Sequence, residues 1–388
     1  SLTGFRNYAQ EQVEFHPECN VILGENAQGK TNLLEAISYL SCGKSPRART
    51  DREMIRFGEN AARMEAAVFA RDREFRVRVD LYRDRRRKMS VNQVAAKTSA
   101  QLSQVYNTVF FCPEDLYLIR EGAAARRRFL DTALCQLRPR YAAALAQYNR
   151  AHEHKTRILR DAQERPDLLA ALPDFSERMV QMGAVVIHYR AQFARRLAEY
   201  AAVHHGECSG GREQLGIVYQ TVSAVTDPEA SEGQIMEQLR SHMEAHRTAE
   251  LASRTCLSGP HKDDLLVTID GLAAKDYASQ GQTRTAALAL KLAEREIYKN
   301  ASGQVSPSGG PICICTSDKT KSSRTGGSSA FLIWTSAAMK SAPGTISLPR
   351  SRRAWCWTCP ESCPSPLWCA TTPITVRSSI SASSTPPP

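Results

Sequence analysis

The segment from Gly24 to Thr31 constrains the fold of this chain more than any other part of its sequence. It reads GENAQGKT and has the form G-x4-G-K-[ST], which is the phosphate-binding loop of nucleoside triphosphatases. The two glycines allow a tight turn whose N–H groups reach phosphate oxygens. Lys30 adds a positive charge beside the phosphates, and the Thr31 hydroxyl is placed to bind Mg²⁺. The predicted phosphate-binding residues are Gly24, Glu25, Asn26, Ala27, Gln28, Gly29, Lys30 and Thr31.

The residues on both sides of this loop fit the strand–loop–helix order that the motif requires. Residues 20–23 (NVIL) predict a short buried strand that enters the loop. An apolar stripe after the loop predicts a helix that ends at Gly43, and its members are Leu33, Leu34, Ala36, Ile37 and Leu40. The bound anion therefore lies at a helix N-terminus. The alternative is a glycine-rich turn that only joins a strand to a helix.

Composition bounds the class of protein. The chain has 388 residues, which is enough for two or three domains. It shows no apolar run of membrane-spanning length and no export leader, so we expect a soluble cytoplasmic protein. The net charge is +11, but more than half of it comes from residues 305–388, where eight basic residues stand against two acidic ones. Bulk charge is therefore weak support for nucleic-acid binding.

Periodicity divides the chain into four segments. Alternation over residues 66–81 predicts a β-hairpin, and from Arg126 onward a period of three to four residues predicts an inserted antiparallel helical arm. The predicted segments are 1–123, the first part of the phosphate-loop domain; 124–205, the arm; 206–304, its second part; and 305–388, a low-complexity tail.

Two basic runs are candidates for contact with nucleic-acid phosphates. The alternative for each is a solvated turn or helix face. The candidate residues are Arg85, Arg86, Arg87, Lys88, Arg126, Arg127 and Arg128.

A second anion site is predicted about 250 residues after the loop. Residues 277–282 read YASQGQ and precede a strong helical pattern, so a serine hydroxyl and glycine N–H lie at a helix N-terminus. We call residues 279–282 the signature segment; its members are Ser279, Gln280, Gly281 and Gln282. Alone, this is an ordinary helix cap. Its significance depends on its pairing with the phosphate loop across the arm.

The two anion sites and five further segments together resemble a known family. The segments are FRNY at 5–8, NAQGKTNLLEA at 26–36, PEDL at 113–116, RRRFLD at 126–131 and GPHKDD at 259–264. They are similar to the ABC-type ATPase heads of SMC-like genome-maintenance proteins, and within these to the RecF family of bacterial recombination mediators. The likeness extends from Leu2 to about Gln304.

This resemblance implies a fold, ligands and partners. It implies an α/β, ABC-type P-loop ATPase head with an inserted antiparallel helical arm that binds ATP and Mg²⁺. It also implies an ATP-dependent homodimer, in which each nucleotide lies between one copy's phosphate loop and the other's signature segment. The implied partners are single-stranded or gapped DNA, RecO and RecR, and the implied role is loading of the RecA recombinase.

The tail departs from this pattern. The family pattern has an apolar strand ending in two acids after the signature helix, whereas the nearest candidate here is residues 312–318 (ICICTSD), with the single acid Asp318. Ser and Thr make up 28 of the last 84 residues, which indicates a shifted reading frame and predicts disorder. We therefore expect little or no ATP hydrolysis. Alternatives are a transporter-type or kinase P-loop protein, and a zinc site at Cys356, Cys359, Cys363 and Cys369.

Overall fold

The structure of the protein, a computed structural model, describes residues 1–16, 19–24, 27–70, 73–222 and 224–301, and the backbone of three strands within 312–339. The strands are β1 (Leu2–Phe5), β2 (Tyr8–Glu11), β3 (Cys19–Gly24), β4 (Ala61–Ala70), β5 (Arg73–Tyr82), β6 (Lys88–Val91), β7 (Val94–Ala95), β8 (Thr108–Phe111), β9 (Leu215–Gln220), β10 (Asp264–Ile269), β11 (Leu272–Ala273), β12 (Ile312–Asp318), β13 (Phe331–Thr335) and β14 (Ala338–Met339).

The helices alternate with these strands and also form a long central insertion. They are α1 (Lys30–Cys42), α2 (Ser99–Ser103), α3 (Tyr117–Arg120), α4 (Ala123–Leu137), α5 (Pro139–Asp161), α6 (Leu172–Ser209), α7 (Glu232–Ala245), α8 (Arg247–Ser253), α9 (Ala274–Tyr277) and α10 (Gln280–Ala301). Short 3-10 turns lie at Asp51–Met54, Pro113–Leu116 and Pro166–Ala171.

The first sheet is antiparallel and packs on the helix that follows the phosphate loop. Its order is β2-β1-β4-β5-β6-β7, and β14 pairs with β4. Strands β4 and β5 form the predicted hairpin, with Ala66 opposite Val77. Their buried side chains, such as Met64 and Val77, join Leu34 and Ile37 of α1 in one apolar core. This core holds α1 and the phosphate loop against the sheet.

The second sheet contains the strand that leads into the phosphate loop. Its order is β3-β12-β13-β8, and β12 runs parallel to β3 with Asp318 opposite Gly24. We expected no strand ending in a carboxylate beside the loop, and this pairing corrects that expectation. Strands β12, β13 and β14 fall within the predicted disordered tail; the rest of residues 305–388, including the four cysteines of the alternative zinc site, lies outside the described residues.

Helices α5 and α6 run antiparallel in the segment predicted as the helical arm. Arg178 of α6 donates to Gln147 of α5 at 2.6 Å, while Arg190 contacts Tyr141 near the start of α5. Helix α7 packs on the same pair through buried Ile235, Leu239 and Met243. The third sheet, β11-β10-β9, shares an apolar core with α6 and α10. Helices α7 and α8 are separate, since the backbone departs from helical geometry at His246.

Candidate functional site

Gly29 is the residue that the geometry of the phosphate loop requires. It has φ +98° and caps α1, a backbone conformation that favours glycine. A Cβ atom here would lie 2.5 Å from the Asn7 side-chain nitrogen. Ala27 also has a left-handed backbone, with φ +65°. Gly24 ends β3, whereas the predicted loop residues Glu25 and Asn26 lie outside the described residues.

The start of α1 fits the phosphates of a nucleotide. No side chain of the described residues caps this helix, and its first turn contains no acidic residue. Its first N–H groups and the positive end of its dipole therefore suit an anion. Lys30 and Thr31, the predicted phosphate and Mg²⁺ ligands, begin the helix and are partly exposed. Among the described residues, no group of three His, Cys, Asp or Glu side chains could hold a metal ion. At a site of this kind the nucleotide's phosphates supply most Mg²⁺ ligands, and the Thr31 hydroxyl would add one.

The FRNY segment at residues 5–8 holds the phosphate loop through hydrogen bonds to its backbone carbonyl groups. The Asn7 side-chain amide donates to the Gln28 carbonyl at 3.2 Å, and the Tyr8 hydroxyl donates to the Gly29 carbonyl at 3.0 Å. Burial raises the pKa of Tyr8 to about 12, so this hydroxyl keeps its proton. Asn32 of α1 in turn donates to Asn7 at 2.8 Å. The sequence signalled this segment only through the family resemblance.

Glu35 of α1 joins three segments around the site. Its carboxylate is fully buried and accepts two hydrogen bonds from Arg6, at 2.8 and 2.9 Å. Ser45 also donates to it, and Arg47 lies 3.9 Å away. Arg6 has a left-handed backbone with φ +52°, and it donates to the Glu53 carbonyl at 3.0 Å as well. Glu35 is the functional residue that the sequence analysis missed, because its partners lie far away in the chain.

A cavity of about 500 Å³ opens beside the phosphate loop. It shares Asn7 and Asn32 with the contacts that hold the loop. Its lining residues are Arg6, Asn7, Asn32, Arg52, Glu53, Ile55, Phe57 and Arg83. Ile55 and Phe57 contribute apolar surface to this open depression, and its other lining residues are polar or charged.

The signature segment lies at the N-terminus of α10, as predicted. The Ser279 hydroxyl accepts the Gln282 N–H at 3.2 Å, and the Gln282 side chain accepts the Ser279 N–H at 2.9 Å. This reciprocal cap leaves the Ser279 proton available to an anion. Ser279, Gln280 and Gly281 are exposed, whereas Gln282 is half-buried and also donates to Glu213 at 3.1 Å. The signature segment therefore faces outward.

A buried polar network connects the two helices that carry the anion sites. Ser41 near the end of α1 contacts Thr108, whose backbone exchanges hydrogen bonds with the Gln136 side chain at 3.0 and 3.2 Å. Gln136 donates to Tyr298 of α10 at 3.1 Å, and Tyr298 donates to Glu294 at 3.0 Å. Such a connected buried network favours one arrangement of the two helices over others.

Three of the seven predicted nucleic-acid contacts are engaged inside the protein. Arg126 is buried and forms two hydrogen bonds with Asp264, at 2.7 and 2.8 Å, so its guanidinium does not face solvent. Arg127 donates to the Asp263 carbonyl at 2.6 Å. Arg87 contacts Tyr39 at 2.6 Å and the Gly43 carbonyl at 2.7 Å. The structure does not support nucleic-acid contacts by these three arginines.

The remaining basic candidates are accessible. Arg86, Lys88 and Arg128 are exposed, and Arg85 stacks on the Tyr82 ring with 3.9 Å between its guanidinium carbon and the ring centre. Arg85, Arg86 and Lys88 lie at the turn between β5 and β6. Arg128 lies on α4.

The GPHKDD segment has a structural role. His261 lies between the Tyr148 hydroxyl, at 2.6 Å, and the Cys256 carbonyl, at 3.1 Å. Burial, together with neighbouring His152, lowers the pKa of His261 to about 3, so the ring is neutral at physiological pH. Asp263 is buried against Arg190 and Tyr219. With Arg126 on Asp264, the segment ties α4, α5 and α6 to β10.

Comparison with known proteins agrees with this arrangement. A model of the AAA domain matches residues 1–167. The DNA replication and repair protein RecF of Agathobacter rectalis is 38% identical over 298 residues, which span 77% of this chain and 79% of that protein. RecF of Bacillus subtilis strain 168 is 35% identical over 304 residues, or 78% and 82% of the two chains.

Two solved structures are similar as well. A structure of the recombination mediator protein RecF-ATP in the RecFOR pathway gives a TM-score of 0.73 at 31% identity and covers 80% of this chain and 82% of that one. A RecF-ATPrS structure from the same pathway gives 0.71 at 31% identity, with coverage of 78% and 81%. The fold and the phosphate loop thus define an ABC-type P-loop ATPase head. At this level of identity and coverage, the chain belongs to the RecF family of DNA replication and repair proteins. Among the described residues, no helix has the length and apolarity needed to cross a membrane.

Proposed function

We propose that this chain is a cytoplasmic, ATP-dependent DNA-binding protein of recombinational repair and replication restart. Its role would be to act at single-stranded gaps and help load a recombinase, with RecO and RecR as partners. The observation that carries the proposal is the uncapped N-terminus of α1, which Asn7 and Tyr8 hold in a phosphate-binding shape. The similar RecF-ATP structure supports ATP as the nucleotide.

The phosphate loop holds the triphosphate in this proposal. Backbone N–H groups of the loop and of α1 bind the phosphate oxygens, and Lys30 supplies the counter-charge. Thr31 is placed to hold Mg²⁺, which neutralises charge on the phosphates when it is bound.

The signature segment acts in trans in this proposal. Because Ser279 is exposed and keeps a free hydroxyl proton, it suits the phosphates of a nucleotide held by a second copy. The protein would therefore form an ATP-dependent homodimer. Contacts with DNA phosphates are assigned to the accessible basic residues Arg85, Arg86, Lys88 and Arg128.

We further propose that turnover is slow. Asp318 at the end of β12 is opposite Gly24 and so lies at the level of the loop, where an acid would support Mg²⁺. The next residue in the chain is Lys319, not a second acid that would orient the attacking water. Loss of such a group commonly costs a factor of about 100 to 10,000 in rate. A steady-state assay with and without DNA should detect turnover near background, and DNA-stimulated hydrolysis lost in Lys30→Ala would contradict this proposal.

Titration of a fluorescent ATP analogue tests the nucleotide site. Lys30→Ala should abolish measurable binding without lowering the melting temperature, because it removes a phosphate counter-charge from a partly exposed position. Lys97→Ala, which removes an exposed lysine distant in sequence from the loop, is the matched control and should bind normally. Equal affinity of wild type and Lys30→Ala would exclude this site.

Light scattering with and without ATP tests the dimer. Ser279→Arg should bind ATP like the wild type yet remain monomeric, since the added side chain occupies the space of the partner's phosphates. We expect ATP to strengthen DNA binding by the wild type but not by Ser279→Arg. Unchanged ATP-dependent dimerisation of Ser279→Arg would mean that the signature segment does not serve a partner's nucleotide.

A further inference from the structure

A buried histidine near the end of α6 is connected to the signature segment through one carboxylate. The His205 Nε2 atom lies 3.0 Å from one oxygen of Glu213, and the Gln282 side-chain amide donates to the other oxygen at 3.1 Å. His205 is fully buried and follows Leu197 and Ala201 along the face of α6 that packs into the core shared with α10. Glu213 lies in the connection between α6 and β9. Its carboxylate therefore joins the end of α6 to the start of α10.

These contacts determine which way the Gln282 amide points. An ionised carboxylate only accepts hydrogen bonds, so the amide nitrogen must face Glu213. The Ser279 backbone N–H only donates, so the amide oxygen must face Ser279, which it meets at 2.9 Å. Both contacts select the same orientation of one amide. Without the carboxylate, the amide is free to turn to solvent, and its cap on Ser279 weakens.

The backbone beside Glu213 is fixed as well. The Gln214 N–H donates to the Asp270 carboxylate at 2.8 Å, and the Asp270 N–H donates to the Gln214 carbonyl at 2.9 Å. This exchange of hydrogen bonds ties the connection between α6 and β9 to the end of β10. The Glu213 side chain therefore extends towards α10 from an anchored position.

The other ring nitrogen of His205 indicates why a histidine lies here. Nε2 must carry a proton to donate to Glu213. Nδ1 is buried and has no hydrogen-bond partner among the residues that the structure describes. Burial of such a polar atom without a partner is unfavourable, and an apolar side chain at this position would avoid that cost. The contact with the carboxylate is thus what the histidine contributes.

We propose that Glu213 and His205 are positioning residues for the signature segment. Glu213 orients the Gln282 amide, and that amide holds the Ser279 backbone, so that the exposed Ser279 hydroxyl is aimed at the phosphates of a nucleotide bound by a second copy. His205 acts one step further away, because it holds the carboxylate. This inference rests on the proposed ATP-dependent dimer. The competing explanation is that the two residues only close the turn between α6 and β9.

Hydrogen exchange of the ATP-free protein tests the positioning without a dimer. Glu213→Ala should speed exchange of the backbone N–H groups of Ser279 and Gln282 about tenfold, because both belong to the cap that the oriented amide maintains. The matched control is Glu207→Ala, which removes an exposed carboxylate that contacts His204 at the same end of α6 and should leave this exchange unchanged. Faster exchange in Glu213→Ala confined to the turn between α6 and β9 would overturn the proposal in favour of the competing explanation.

Two replacements of His205 separate positioning from packing. Glutamine keeps a side-chain N–H that can donate to Glu213, whereas leucine fills the buried space without a donor. In light scattering with ATP, His205→Gln should dimerise like the wild type, and His205→Leu should need about tenfold more protein, as should Glu213→Ala. All three should bind a fluorescent ATP analogue normally, since the changes lie near the signature segment and not at the phosphate loop. Equal dimerisation of His205→Leu and wild type would overturn the role of the histidine.

The two measurements also separate this inference from the proposed dimer. Faster exchange and weaker dimerisation of Glu213→Ala together would support both. Faster exchange with unchanged ATP-dependent dimerisation would overturn the role of Glu213 in the dimer. If the wild type forms no ATP-dependent dimer, the proposed function fails, while faster exchange in Glu213→Ala would still show that the carboxylate holds the signature segment.

Discussion

Replacement of Glu35 by glutamine should weaken the ion pair that supports the phosphate loop, while the residues of the loop itself stay unchanged. Glu35 is fully buried, and its carboxylate accepts two hydrogen bonds from an arginine that is itself only 22% exposed. Glutamine has the same shape but one acceptor oxygen and no charge. One Arg6 N–H would then face an N–H of the new amide, and the arginine charge would lose its counter-ion.

The magnitude follows from the burial of the pair. Removing one partner of a buried ion pair costs about 3–5 kcal/mol. The partial exposure of Arg6 lowers this to about 2–4 kcal/mol in the free energy of unfolding. Arg6 also has a left-handed backbone, which costs about 1 kcal/mol and persists because the pair holds it. Once released, the turn no longer presents Asn7 to the Gln28 carbonyl. ATP affinity should therefore fall about tenfold, the value of one hydrogen bond of about 1.4 kcal/mol.

Urea denaturation measures the loss in the free energy of unfolding, and titration with a fluorescent ATP analogue measures the loss of ATP affinity in the same protein. Glu153→Gln is the matched control, because Glu153 is exposed on α5 and is not among the residues that hold the loop or line the cavity. The double change Arg6→Met with Glu35→Met should recover much of the stability but not the ATP affinity, since an apolar pair replaces the ions without restoring the turn. If Glu35→Gln unfolds at the same urea concentration as Glu153→Gln, the ion pair does not support the site.

Three further changes have defined outcomes. Gly29→Ala should cost about 2 kcal/mol or more of stability and most ATP binding, because its methyl would overlap a neighbouring amide at positive φ; Gly58→Ala, also at positive φ but in open space, should keep ATP binding. Arg126→Ala should lower the free energy of unfolding by about 2–4 kcal/mol, whereas Arg128→Ala should spare stability and weaken DNA binding in a filter assay. The folded pKa of His261 is about 3 against 6.5 unfolded, so the unfolded chain takes up a proton first as pH falls; stability should drop by about 2 kcal/mol between pH 7 and pH 5, less so in His261→Asn.

Local signals predicted the strand and the helix that flank the candidate phosphate loop. The phosphate loop, the strand before it and the helix after it follow from glycine spacing and apolar period, which act over a few residues. The start of α10 at the signature segment follows from cap chemistry in the same way. The link from Glu35 to Arg6 could not be predicted, because it joins residues 29 positions apart through the packing of α1 on the first sheet.

Strand β12, which ends at Asp318, formed where the sequence pattern had not indicated a strand. Residues 312–318 (ICICTSD) contain two isoleucines among cysteine, threonine and serine, so the sequence pattern alone did not indicate a core strand. In the structure, β12 pairs with β3 on one side and β13 on the other. Strand formation depends on such neighbours more than on intrinsic preference. The position of Asp318 beside Gly24 therefore came from pairing, not from the pattern.

Arginine residues explain why net charge is a poor guide to the DNA-binding surface of this chain. Arg63 and Arg78 share Asp80 at 2.7 and 2.9 Å, and buried Arg190 bridges Asp131 and Asp263 at 2.8 and 3.3 Å. Arg190 is a buried cross-link, whereas Arg63 and Arg78 form ion pairs at the surface, and each guanidinium offers several donors in a fixed plane. A phosphate backbone would have to displace a carboxylate to use them. The proposed DNA contacts are therefore assigned to exposed basic groups at the β5–β6 turn and on α4, and we expect the salt dependence of DNA binding to weaken when those are removed.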